Sequence, residues 1–253
     1  MIDTNHGSGY VPQAPALSPT ERVNIAIDSA LVYRQSLQTP RAYLGGSRLG
    51  EPCSRLLCYE LVGVPADEGR EFTGRTLRIF EVGHRFEAMM ADWLTQAGFG
   101  LRIAKRDGSQ FGFSIAGGKI AGHIDGVITD GPVLEVPYPI GWEHKSLGDK
   151  GWSKIANHGL RLGNETYFGQ VQIYMAYMDL PAFLFTAINK NDESIYAEIV
   201  RFDPAAAQAL SDKAVTIVSA VERGELLSRI ASQRDFYKCR MCNHQDRCWS
   251  DPN

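Results

Sequence analysis

Two stretches carry side chains with an obvious chemical use. The first is FYKCRMCNHQDRCW, residues 236–249, which sets Cys239, Cys242 and Cys248 in a C-x2-C-x5-C spacing with His244 among them. Three of the chain's five cysteines lie too close together for a disulfide framework, which in a reducing compartment points to a metal. A four-coordinate site needs one more ligand, and His244, Cys53 and Cys58 are the candidates. His244 closes a compact zinc knuckle, although one residue between it and Cys242 is tight for two ligands on one ion. The second stretch is WEHKSL, residues 142–147. On a strand, Glu143 and Lys145 leave the same face and His144 the other. A carboxylate there can hold a hard cation, and an ammonium beside it can position a water and offset charge on a phosphate under attack.

Upstream, KIAGHIDGVI supplies Asp125, flanked by Gly122 and Gly126, which leave room for close approach; Asp125, Glu143 and Lys145 form a D-x17-E-x-K set. In GHRFE, His84 and Glu87 stand three apart on one helical face, so both can reach one metal, or one can orient the other. In GQVQIYM, Gln170 and Tyr174 stand four apart, also on one face, where they could hold a phosphate or a base. Each has an ordinary reading when taken singly: a solvated ion pair, a turn aspartate, a helix histidine, a core aromatic. Around WEHKSL, Lys150, Lys154, His158 and Arg161 make a local basic strip, with Trp152 available for stacking.

The elements that must position these residues follow from periodicity. Helices are expected over 21–38 with Thr20 as N-cap, 55–62, 75–98 with Phe86, Met90, Trp93, Leu94 and Ala97 as its apolar face and Gly98 as C-cap, 152–161, 165–180 and 204–231. Strand texture covers 101–106, 110–115, 119–128, 133–136 and 140–147, read as an antiparallel meander, and then 183–190 and 194–202 as a strand pair. Helices, meander, helix, hairpin, helix is the order of an α/β (α+β) domain, a central sheet flanked by helices.

At 253 residues and a net charge of −3, the chain is long enough for one elaborated domain and lacks the overall basicity of a non-specific DNA wrapper, so local charge must carry any nucleic-acid contact. Residues 1–20 read as a polar flexible tail without signal-peptide features, 21–253 as a single domain, and the address as cytoplasmic, with no membrane partner.

Taken in order, GHRFE, GHIDG, EHK and QVQIY resemble the nuclease core of the PD-(D/E)XK superfamily, in the RecB-like branch that includes lambda-type exonucleases and the CRISPR-adaptation nucleases. The resemblance implies a restriction-endonuclease-like core with a central mixed sheet. It implies that His84 or Glu87, with Asp125 and Glu143, holds magnesium or manganese, and that Lys145 is the catalytic lysine. Gln170 and Tyr174 match that branch's Q-x-x-x-Y motif, associated with nucleic-acid contacts, and Lys150, Trp152 and Lys154 extend the expected DNA-binding set. SRLGEPCSRLLCY resembles the N-terminal segment of the branch's iron–sulfur nucleases, so the fourth ligand becomes Cys53 and the expected group a [4Fe–4S] cluster on Cys53, Cys239, Cys242 and Cys248, with zinc as runner-up. That cluster clasps the two ends of the domain. The expected activity is a metal-dependent deoxyribonuclease, an exonuclease on DNA ends or single strands in recombination, repair or phage DNA metabolism, with a recombination partner or a second copy as possible company. The alternatives are an endonuclease, or a non-catalytic nucleic-acid-binding module with a zinc knuckle.

Overall fold

The computed structural model describes residues 17–39 and 41–252; most of the expected 1–20 tail lies outside them. The chain divides into two compact units. One comprises residues 17–38 with 72–78, the other 39–71 with 79–252. In the first, helix α1 (Pro19–Ser36) starts two residues earlier than expected, because Ser18 and Glu21 form a reciprocal capping box and Pro19 suits the first turn.

The second unit contains every candidate site residue. Its larger sheet runs β2 (Leu101–Arg102), β5 (Gly126–Ile128), β6 (Ile140–Leu147), β7 (Ala182–Asn189), β8 (Ile195–Arg201), with β6 and β7 parallel and the other pairs antiparallel. A smaller mixed sheet orders β1 (Leu44–Gly45), β4 (Ile120–His123), β3 (Gly112–Ile115). The fold is thus mixed α/β with helices flanking the sheets. The strands of the expected 101–147 meander do pair antiparallel, but they are divided between the two sheets and so form no single meander. Beyond them, α4 (Asp149–Gly163) and α5 (Glu165–Met178) form the crossover that parallel pairing of β6 and β7 requires.

β7, AFLFTAIN, is buried along its whole length, as a central strand covered on both faces must be. Phe183, Phe185 and Ala187 face the core shared with α5, α6 (Pro204–Glu222) and α2 (Ser54–Leu61), whereas Ala182, Leu184 and Ile188 join Ile140, Trp142, Met90 and Ala91 on the other face. Helix α3 (Gly74–Gln96) therefore buries Met90 and packs the half-buried Phe86 and Leu94 beside it as its periodicity suggests, but Trp93 is exposed, and Ala97, just past the helix end, is exposed too. Gly98 follows in the left-handed conformation, at φ 91°.

Two further expectations fail for local reasons. Residues 133–136 are loop, since Pro132, Pro137 and Pro139 remove donors a strand needs and Glu135 takes a positive φ of 57°. α6 stops at Glu222, where Arg223 caps it and Gly224 at φ 69° turns the chain away. Beyond it the cysteine segment has only two short helices, α7 (Tyr237–Arg240) and α8 (Gln245–Ser250).

Candidate functional site

The run 119–128, which reads as one strand, breaks at Ile124–Asp125: β4 ends in the small sheet and β5 begins in the large one. Asp125 sits at that crossing, and its Oδ2 accepts a 2.7 Å hydrogen bond from the His144 backbone N–H on β6. The backbone of the E-x-K strand thereby orients the aspartate. Gly122 and Gly126 serve packing here: a Cβ on Gly122 would meet Tyr174 Cε1 at 2.5 Å, and one on Gly126 would meet Leu101 Cδ1 at 2.7 Å.

Glu143 is buried, 1% exposed, on the face of β6 toward α5. One oxygen, Oε1, accepts from the Lys145 ammonium and, at 2.6 Å, from Gln170 Nε2; Gln170 in turn also donates to the Tyr174 hydroxyl at 3.3 Å. The other oxygen, Oε2, is buried without a hydrogen-bond partner. Burial, followed by the Asp125 carboxylate, pushes Glu143 up to about 8. Glu87 is pushed up to about 7, by burial and then by Asp125, and burial also raises Asp125 against the pull of Lys145, the His144 N–H and His84. Burial works to discharge Lys145, but Glu143 and Asp125 outweigh it and hold the ammonium firmly protonated.

Asp125, Glu143, Lys145, Glu87 and His84 are thus one electrostatic neighbourhood, with His84 exposed at its edge. Three acidic side chains resisting ionisation around an orphaned buried oxygen are a donor set that a hard divalent cation fits: it would satisfy Glu143 Oε2 and cancel the like-charge repulsion.

Gln170 and Tyr174 are 4% and 2% exposed: Gln170 holds Glu143 from beneath, Tyr174 accepts from Gln170, and neither is on a surface open to a nucleic acid. Helix α5 presents them because Asn164 caps it, accepting from the Thr166 and Tyr167 N–H groups at 3.1 Å each. Trp152 is likewise half-buried, with Nε1 donating to the Ala187 carbonyl at 3.3 Å; its indole braces α4 and is not a free stacking ring. Lys150 and Lys154 are exposed on α4.

Sequence reasoning missed two partners. The Lys145 ammonium lies 5.4 Å from the centre of the Tyr167 ring, a residue three before Gln170 on the same helical face, which is the signal that was available. On the opposite face of β6, Thr186 links Trp142 Nε1 at 3.0 Å and His144 Nδ1 at 2.9 Å, and burial with the Lys145 charge takes His144 down to about 4. Nothing in the local sequence marks that threonine.

The second constellation is a cavity of ≈ 370 Å³ lined by Cys53, Cys239, Cys242 and Cys248, together with Arg48, Arg229, Lys238 and Trp249. Cys58 is not on this wall; it is 1% exposed within the apolar core. His244 is buried beside the Tyr59 ring, centroids 5.4 Å apart, and is not among the lining residues. Burial raises the thiols of Cys53, Cys239 and Cys242, and each is raised further by other cysteines of the set. Glu51 lines the same wall and Lys238 lies 3.8 Å from its carboxylate, Arg48 pairs with Glu60, and Arg229 donates to the Cys248 carbonyl. Four mutually repelling sulfurs on one cavity suit a tetrathiolate centre, whether iron–sulfur or zinc. Neither constellation is drawn together around a single point: among the described residues no three His, Cys, Asp or Glu side chains converge closely enough to hold a metal as they stand.

The sequence matches no protein-family model and no curated protein. Among solved structures the fold is similar to that of SSO0001, with a TM-score of 0.52 at 16% identity over 92% of this chain and 98% of that one. It is also similar to LHK-Exo in complex with dAMP, with a TM-score of 0.50 at 13% identity over 79% and 93%. The alkaline exonuclease LHK-Exo from Laribacter hongkongensis gives 0.49 at 14% identity over 73% and 90%. At such identities the likeness is one of fold: this chain has a mixed α/β architecture similar to nuclease folds.

Proposed function

We propose that the chain is a divalent-metal-dependent deoxyribonuclease that hydrolyses phosphodiester bonds from DNA ends. The observation that carries this reading is the buried, partnerless Oε2 of Glu143 beside Asp125, Glu87 and Lys145. Magnesium or manganese, held by Asp125, Glu143 and Glu87 with His84 at the rim, would supply Lewis-acid activation of water and of the scissile phosphate. Glu143 stays aimed because Gln170 and Lys145 fix its other oxygen, and Asp125 because the His144 N–H does. Lys145, charged and backed by the Tyr167 ring, positions the attacking water and offsets charge on the phosphate. Lys150 and Lys154 hold the DNA backbone next to the site.

The fold similarity to an exonuclease crystallised with dAMP is consistent with nucleotide chemistry at such a site. A [4Fe–4S] cluster on Cys53, Cys239, Cys242 and Cys248 is the reading we favour for the cysteine cavity, with a structural role in clasping residue 53 to the C-terminal segment. Among the described residues no helix is long and apolar enough to cross a membrane.

The test uses end-labelled linear DNA and closed circular DNA, double- and single-stranded, with magnesium or manganese. Wild type should degrade linear substrates, and Glu143→Ala and Lys145→Ala should not. Undiminished activity in both variants overturns the site, cleavage of closed circles overturns the end requirement, and metal-independent binding without cleavage leaves the non-catalytic module.

A further inference from the structure

Three arginines grip the backbone of the C-terminal cysteine region, two of them, Arg55 and Arg70, from far upstream in sequence. Arg55 is fully buried, 0% exposed, and donates to the carbonyls of Leu227 at 2.5 Å, Pro252 at 2.8 Å and Cys248 at 3.4 Å. Arg229 donates to the same Cys248 carbonyl at 2.9 Å and to that of Asp251, and its guanidinium lies 4.8 Å from the centre of the Trp249 ring on the cavity wall. Arg70 donates to the carbonyls of Arg240 and Cys242, both at 3.0 Å.

A polar side chain could have capped these carbonyls at lower cost. A guanidinium taken wholly out of water is expensive unless a counter-charge lies near, and all of Arg55's hydrogen bonds end on neutral carbonyls. The cavity beside Cys248 offers the counter-charge: four cysteine thiolates around a [4Fe–4S] core, or around zinc, leave a net negative centre.

We propose that Arg55 and Arg229 are the electrostatic anchors of this centre, fixing the Cys248 ligand through its carbonyl and offsetting the charge of the bound tetrathiolate. The proposal rests on the metal reading of the cysteine cavity and concerns the arginines, which that reading does not require. Arg229 on the cavity wall, with Arg55 behind the Cys248 carbonyl, favours the reduced, more negative state of the centre, so removing Arg229 moves the reduction potential in the negative direction. They also slow release of the metal. Arg229, at the cavity wall, is the variant of choice, because removing the fully buried Arg55 can unfold the chain.

Full-length wild type, Arg229→Met, Arg229→Lys and Arg55→Met are purified without oxygen, checked by circular dichroism, and assayed for iron, sulfide and zinc per chain. If wild type carries iron and sulfide, the midpoint potential is measured by dithionite titration followed by electron paramagnetic resonance. The expected result is a negative shift in Arg229→Met that Arg229→Lys largely reverses, with the cluster lost or shifted in Arg55→Met. A potential unchanged in the folded Met variants overturns the anchor role and leaves the cluster standing. An equal shift in Met and Lys variants also overturns it, since it assigns the effect to packing. If wild type is colourless and holds zinc, the cluster reading fails but the anchors are still decided: Arg229→Met should release zinc to a chelator at least tenfold faster than wild type, Arg229→Lys should not, and equal rates overturn the proposal. A wild type that takes up neither metal removes the centre and the anchor role together.

Discussion

Glu143→Gln should stabilise the metal-depleted protein, and by an amount that grows with pH. In the fold, Glu143 is pushed from the usual 4.5 up to about 8 by burial and the neighbouring Asp125 carboxylate. The native state therefore keeps a proton that the unfolded chain has released throughout that window, so stability is highest below it and falls as pH rises through it. Each unit is worth about 1.4 kcal/mol, so between pH 5 and pH 7 wild type loses on the order of 2 kcal/mol at this one residue. Glutamine has the shape of the protonated acid and no proton to lose. Its advantage should widen by that amount, about 4–8 °C in melting temperature for a chain of this size. Thermal melts at pH 5, 6 and 7 in a chelator measure it. Manganese should then stabilise wild type and not the variant, because the carboxylate it would neutralise is gone. Parallel pH curves for the two proteins would refute the claim that this carboxylate is held against its own ionisation.

Gln170→Ala removes the 2.6 Å donor to Glu143 Oε1 and should cost roughly 1–3 kcal/mol in denaturant unfolding, with nuclease activity falling further than stability; loss of stability alone would make Gln170 a mere core residue. Gly122→Ala adds a Cβ 2.5 Å from the Tyr174 ring, with overpacking of about 1–3 kcal/mol and reduced turnover; a neutral melt would mean the ring has room to move. Cys53→Ser should lose the bound iron or zinc, whereas Cys58→Ala keeps it and loses only core packing; metal retained in the first or lost in the second reverses the ligand assignment. The double variant Lys150→Ala with Lys154→Ala should weaken binding of all DNA sequences alike and flatten its salt dependence by about two units of slope; an unchanged slope would put the DNA elsewhere.

Residue type and spacing determined a good deal by themselves. Glu143 and Lys145 share a face because strand geometry has a period of two, and His84 with Glu87, or Gln170 with Tyr174, share one because a helix repeats every 3.6 residues. Those are local facts, and they are legible in a single chain. What the tertiary structure decided are relations between distant segments. The break at Asp125 depends on two sheets meeting there, which an unbroken apolar run does not disclose. Gln170 and Tyr174 look like surface ligands until α5 is seen to pack on the sheet and turn them toward Glu143, and Trp152 looks free until Ala187 takes its N–H. Cys53 and Cys58 are equivalent by composition; a motif resemblance singles out Cys53, and it is the fold that lines the cavity with Cys53 and buries Cys58 in the core. Periodicity tells which side chains travel together; what they meet is set by the packing of separate elements, and burial there fixes whether a carboxylate is a solvated charge or one held against its own ionisation.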